Sequence, residues 1–213
     1  METSEANPRL KEMLGHSAAQ HRHLCPRQVL GVRIGLYAAD IFSIATPQKD
    51  KRLLAFVETD GCFADGVSAA TGCSMGHRTM RLVDYGKVAV TFVDTHDGRA
   101  IRLSPLPNVR LRAAAAAPVA ATRWQAQLQA YQVLQNIELF QLQAVRLNLD
   151  LEAITGKPGV RVTCSECGEE ILNQRETVKD GQKICRSCAG ESYWRLMEDS
   201  RDFAVASAQT TCG

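Results

Sequence analysis

The 213-residue sequence has no apolar run near the ~18 residues needed to cross a membrane as a helix. A helical membrane span is therefore not expected. Met1 to Leu10 is polar and acidic and lacks the apolar stretch of a secretory leader. Excess charge is missing too: 25 Lys+Arg against 23 Asp+Glu leaves +2, too little to make nucleic acid or an anionic membrane an obligatory partner. No internal repeat is visible, which sets aside solenoid architectures. These absences lead us to expect a cytoplasmic protein without a membrane partner. Apolar content of 45% and charged content of 23% lie near the averages of globular proteins, so most of the chain should bury a core. The length accommodates one core domain and a small appended module.

Helical spacing covers Pro8 to Gln20 (Leu10, Met13, Leu14) and Pro26 to Ile44 (Val29, Leu30, Ile34, Leu36, Tyr37, Ile41). Lys51 to Val57 reads as a buried strand, and Phe63 to Thr71 as a short helix after the Asp60-Gly61 turn. Lys87 to Asp94 and Arg99 to Leu103 can pair as a hairpin through Thr95 to Gly98. Ser104 to Ala121, with three prolines and five consecutive alanines, reads as an insert or frayed connection. Trp124, Leu128, Tyr131 and Leu134 share a helical face capped by Thr122, a stripe better read as packing than as a site. Val145, Leu147, Leu149 and Leu151 alternate with polar residues as a strand would. The mixture, without a βαβ rhythm, predicts an α+β core over a mixed or antiparallel sheet with flanking helices. We expect this core at 1–155, a zinc module at 160–198 after a Gly156 to Gly159 linker, and a loose tail at 199–213.

Eight cysteines in a reducing compartment point to metal ligands or reactive thiols rather than disulfides. Cys164 with Cys167, and Cys185 with Cys188, form two C-x2-C pairs separated by 17 residues. That is the spacing of a four-cysteine zinc site. Four thiolates complete the tetrahedral shell of Zn²⁺ and leave no position for substrate, so this zinc is structural. Two disulfides, or iron bound as in rubredoxin, are the alternatives that the spacing disfavours. With a hairpin at Asp180-Gly181 and a helix from Ala189 to Met197, the order is that of a treble clef.

A second constellation lies in the core. His21, His23 and Cys25 fall at i, i+2 and i+4. Pro26 disfavours helix immediately before it, so an extended segment should turn all three to one side. Pro26 also suits the first position of a helix, which makes Cys25 the N-cap, where amides and the helix dipole favour a thiolate. Three ligands with a vacancy is the pattern of a catalytic metal, and a second transition metal could sit here. Cys62 and Cys73 lie beside glycines at the two ends of the short helix, and Asp65 could orient a histidine or act as a base. The bland reading makes the histidines exposed polar residues and Cys25 a small buried hydrophobe. His96 and Cys212 have no partner at ligand spacing.

The run His21 to Pro26, Gly31 to Gly35, the stretch from Asp60 through Cys62 to Asp65, Thr71 to Gly76, Asp84 to Lys87 and the C-terminal cysteine pairs resemble the E-subunit family of formylmethanofuran dehydrogenase. The resemblance spans most of residues 15 to 195. It implies an α+β core followed by a treble-clef finger, a homodimer, and a site on His21, His23, Cys25, Cys62, Asp65 and Cys73. Arg22 and Arg27 stand where the family usually has glycine and would favour an anionic ligand or a thiolate. Three functions follow. The first is an accessory protein or component of a molybdenum or tungsten oxidoreductase, with Cys25, Cys62, Asp65 and Cys73 as catalytic candidates and His21, His23 and Cys25 as core metal ligands. The second is a free-standing thiol- or metal-dependent oxidoreductase using Cys25 or Cys62. The third is a zinc-finger regulator. For that last one, Arg175, Lys179, Lys183, Arg186 and Arg195 are interspersed with Glu169, Glu170, Glu176 and Glu191, so nucleic acid is not the expected partner.

Overall fold

The computed structural model describes residues 7–21, 23–156 and 159–195. Arg22, the linker residues Lys157 and Pro158, Met197, Cys212 and the expected tail fall outside them. The chain divides into two compact units between Leu149 and Asp150. No helix among the described residues is long and apolar enough to cross a membrane.

The first unit is a five-stranded mixed sheet with helices. Its strands are β1 (Leu53–Val57), β2 (Met80–Leu82), β3 (Val90–Asp94), β4 (Ala100–Pro105) and β5 (Phe140–Val145), in the order β2-β1-β3-β4-β5. Only β1 and β2 run parallel; the other neighbours are antiparallel. The expectation of an α+β core over a mixed sheet therefore holds. Strand β1 is buried along its whole length, which explains its uninterrupted apolar run. Its alternate residues Leu53, Ala55 and Val57 join Val90, Phe92, Ile101 and Leu103 in one core. Helices α1 (Pro8–His21), α2 (Pro26–Phe42) and α3 (Cys62–Thr71) supply Leu10, Leu14, Val29, Ile34, Phe63 and Val67 to it.

Helices α2 and α3 touch backbone to backbone. A Cβ on Gly31 would collide with the Phe63 carbonyl, one on Gly66 with the Gln28 carbonyl, and one on Gly35 would lie 2.8 Å from Ala70 Cβ. Glycine at these positions is a packing requirement, outweighing the ~1 kcal/mol it costs a helix relative to alanine.

Three expectations are corrected here. Ser104 to Ala121 is no frayed insert: β4 runs to Pro105 and the alanine run forms helix α4 (Val109–Ala116), as alanine's helix preference favours. The strand expected from Val145 to Leu151 lies earlier, as β5; it is paired on one side only and largely exposed, so its pattern carries little burial signal. Residues Leu151–Thr155 are instead a helix, capped by Asp150. The helix with the tryptophan stripe is α5 (Arg123–Val133), capped by Thr122, although Trp124 itself is exposed. Arg33 of α2 fixes its end by donating to the Tyr131 and Leu134 carbonyls at 2.9 and 2.7 Å.

The second unit contains two small hairpins. Arg161–Thr163 pairs with Glu170–Leu172, and Thr177–Lys179 with Gln182–Ile184. The second turns at Asp180 and Gly181, both at positive φ, as the Asp-Gly signal predicts. The helix expected at Ala189 to Met197 is shorter and starts earlier. It is one irregular turn, Ser187–Glu191, broken by Gly190 at φ 100°.

Candidate functional site

In the second unit the two cysteine pairs converge. The sulfurs of Cys164, Cys167, Cys185 and Cys188 all lie within 4.8 Å of one another. Four sulfurs ~2.3 Å from a tetrahedral zinc stand ~3.8 Å apart. Cys167 Sγ and Cys185 Sγ are 3.9 Å apart. The residues fit the ion in chemistry and spacing. The Cys185 amide donates to Cys164 Sγ at 3.2 Å, and the Cys188 amide to Cys185 Sγ at 3.4 Å, so the backbone supports negative sulfur. The Cys167 amide, followed by those of Cys185 and Glu166, draws the Cys164 thiol down to about 6. Cys188 is pushed the other way, chiefly by its hydrogen bond to Cys185 and by burial. Four thiolates this close need a cation to offset their charge, which a zinc ion would supply.

In the first unit, the glycine crossing of α2 and α3 brings their N-termini together. Cys25 caps α2 in an extended conformation. Its amide donates to Gln28 Oε1 at 2.8 Å and its Sγ accepts the Gln28 amide at 3.4 Å. Gln28 is wholly buried and spends its own Nε2 on the Ser17 carbonyl and hydroxyl, at 2.9 and 3.1 Å. Cysteine thus does what serine or threonine does in a capping box. Cys62 is the first residue of α3, entered through Gly61 at φ 73° and ψ −155°, a conformation few other residues accept. The Cys62 thiol lies near that of Cys25, close enough for each to influence the other's titration. Burial, then the neighbouring Cys25 thiol, push its pKa up, while Cys25 receives an amide.

One turn into α3, Asp65 meets His21 Nε2 directly. Beside this pair lies a pocket of about 240 Å³ walled by Ala64, Met75, Met80 and Leu82, with Asp60 and Asp65 at its edge. The structure thus brings together two pairs, Cys25 with Cys62 and His21 with Asp65. His21 ends helix α1, which corrects the expectation of an extended segment beginning at His21; Cys25 is extended. His23 is exposed. Cys73 lies at the far end of α3, ~15 Å along its axis from Cys62. It is fully buried, accepts from Gln48 Nε2 at 3.2 Å, and burial pushes its thiol up to about 11. Among the described residues, the only group of three or more His, Cys, Asp or Glu positioned to share a metal is the four-cysteine cluster. Sequence reasoning missed Gln28 and Gln48, the side chains that hold the two buried thiols. The Cys-x-x-Gln spacing of a capping box was the available signal for Gln28.

Comparison with known proteins places both units. Residues 156–193 match the prokaryotic dksA/traR C4-type zinc finger. A crystal structure of a tungsten formylmethanofuran dehydrogenase FmdE-like protein from Syntrophus aciditrophicus shares the fold. It has a TM-score of 0.52 and 22% identity, with 87% of this chain and 95% of that one covered. A probable S-adenosyl-L-methionine-binding protein of Archaeoglobus fulgidus is 36% identical over 104 residues. Those residues are 46% of this chain and only 28% of that relative's length. Residues 20–152, well over half of the sequence, match the family described as FmdE, molybdenum formylmethanofuran dehydrogenase operon. This is a metal-binding FmdE-like protein with a C4 zinc finger, and the chain belongs to the FmdE family.

Proposed function

We propose that this protein is an accessory component or subunit of a molybdenum or tungsten oxidoreductase, whose core carries a second, transition-metal site. One observation carries the reading: Cys25 and Cys62 start two different helices and meet at their electropositive ends. Two thiols so placed bind a thiophilic ion once deprotonated, and the amides at the helix ends offset the charge they then carry. His21 would be the third ligand after leaving Asp65, and Asp65 would then neutralise or orient it. Family membership supplies the enzyme context. Elemental analysis of purified protein tests the site. It should give two metal ions per chain in the wild type and one in Cys25→Ser; one ion in both sinks the reading. The reading also includes a homodimer, so light scattering of the same sample should return the mass of two chains, and a one-chain mass removes that element.

A second reading rests on the Archaeoglobus relative: binding of S-adenosylmethionine. The pocket beside Asp65 offers carboxylates for the sulfonium cation and apolar walls for its substituents. Calorimetry with S-adenosylmethionine should show saturable binding that Asp65→Asn weakens about two- to fivefold, the scale of losing a partly exposed charge partner. No heat at about 1 mM ligand discards this reading.

A further inference from the structure

The N-termini of α2 and α4 approach each other across a separate cleft of about 330 Å³, closed on its third side by α5. Each helix places an arginine at its second position, Arg27 in α2 and Arg110 in α4, and both line the cleft. Neither first turn contains an acidic residue, and none lines the cleft. A cation at a helix N-terminus opposes the helix dipole, and here two arginines so placed line one space. Among the described residues neither arginine has a carboxylate partner.

A second, independent feature is Tyr131 of α5. Its side chain is 1% exposed and lines the same cleft, yet its hydroxyl makes no hydrogen bond to any described residue. Burial pushes the phenol up while the nearby Arg110 charge pulls it down, so the hydroxyl is a protonated donor at neutral pH facing that charge. The hydroxyl itself is not sealed off but opens onto the cleft, where it is available as a donor to a ligand. Leu30 and Val109 give the cleft apolar wall beside its polar end.

We propose that this cleft binds an oxyanion, a carboxylate or a phosphate, borne by a small molecule with an apolar body. Arg27 and Arg110 neutralise the anion, the start of α4, which no side chain caps, reinforces them, and the Tyr131 hydroxyl donates to one of its oxygens. The apolar body rests on Leu30 and Val109. The site is distinct from the Cys25–Cys62 pair, and its failure would leave the metal reading untouched.

Calorimetry on the full chain with phenyl phosphate, benzoate and benzyl alcohol tests this. At least one of the two anions should bind saturably and the neutral alcohol should not; which anion binds assigns the headgroup. Arg27→Gln and Arg110→Gln should each weaken binding about tenfold or more, as expected when a charged hydrogen-bond partner is lost. Tyr131→Phe, which keeps the packing, should weaken it about three- to tenfold. Thermal melting of each variant establishes that it is folded. No binding of either anion at about 10 mM to the folded wild type overturns the proposal. So does binding that Arg27→Gln and Arg110→Gln both leave unchanged.

Discussion

Replacing Cys185 with serine is expected to abolish zinc binding at the finger and to unfold residues 160–195 while the five-stranded unit stays folded. The reason is the size of the finger's core. Its buried apolar residues are Cys164, Ile171 and Ile184, with Val162, Cys185, Cys188 and Ala189 packed partly against them. Three buried side chains are too few to order a unit of this length by themselves. The binding free energy of a structural zinc is folding free energy, so a unit with so small a core depends on the ion. Acid should act as the substitution does, since each thiol must lose its proton to bind and protonation releases the ion. Hydrogen exchange on the full chain, with and without chelator, reads this directly. Protection should vanish from the two finger hairpins and persist in β1 and β3. Protected hairpins without metal would show that the cysteines are not what holds this unit.

Gly66→Ala should destabilise the first unit by about 2–3 kcal/mol, while Gly15→Ala in α1 should stabilise it by up to about 1 kcal/mol. The same substitution changes sign because of what the new methyl meets. At Gly66 it collides with the Gln28 carbonyl and comes within 2.9 Å of the Val32 nitrogen, both backbone atoms of α2 that cannot turn aside. Overpacking of this kind costs about 1–3 kcal/mol, and more when backbone must move. At Gly15 nothing lies within 4 Å, so only the gain in helix preference remains. Urea unfolding of the two variants gives both numbers. Gly66→Ala should also separate Cys25 from Cys62, because the Gly31–Gly66 crossing sets the distance between the two helix starts. A neutral Gly66→Ala would mean that the close approach of α2 and α3 is not required.

Much of this was legible in the sequence, for identifiable reasons. The four finger cysteines could be read because ligand spacing is a local property that the chain must satisfy whatever its fold. Cys25 as an N-cap was legible because Pro26 fixes its own φ and restrains the residue before it. Strand β1 announced itself through burial on both faces. Edge strand β5 did not, since four of its six residues are exposed, the apolar Leu142 and Ala144 among them, so its alternation does not track burial. The alanine run misled because prolines on both sides suggested disorder, whereas Pro105 and Pro107 precede a helix and Pro118 follows it. The core site was half legible. Sequence spacing grouped His21, His23 and Cys25, but helix α1 continues through His21 and hands it to Asp65, 44 residues away. Cys62 joins Cys25 only through the glycine crossing, a tertiary contact no local pattern encodes. Cys73 shares a motif with Cys62, yet lies a helix length from it. The convergence of Arg27, Arg110 and Tyr131 likewise depends on where α4 begins, within a stretch whose composition suggested no helix.

The central claim is that this family member carries chemistry in its core, apart from a finger whose zinc is structural. Anomalous diffraction from crystals grown with a transition metal in the mother liquor tests it most directly. Two peaks per chain are expected, one among Cys164, Cys167, Cys185 and Cys188 and one bonded to the sulfurs of Cys25 and Cys62. A single peak, at the finger, would contradict it.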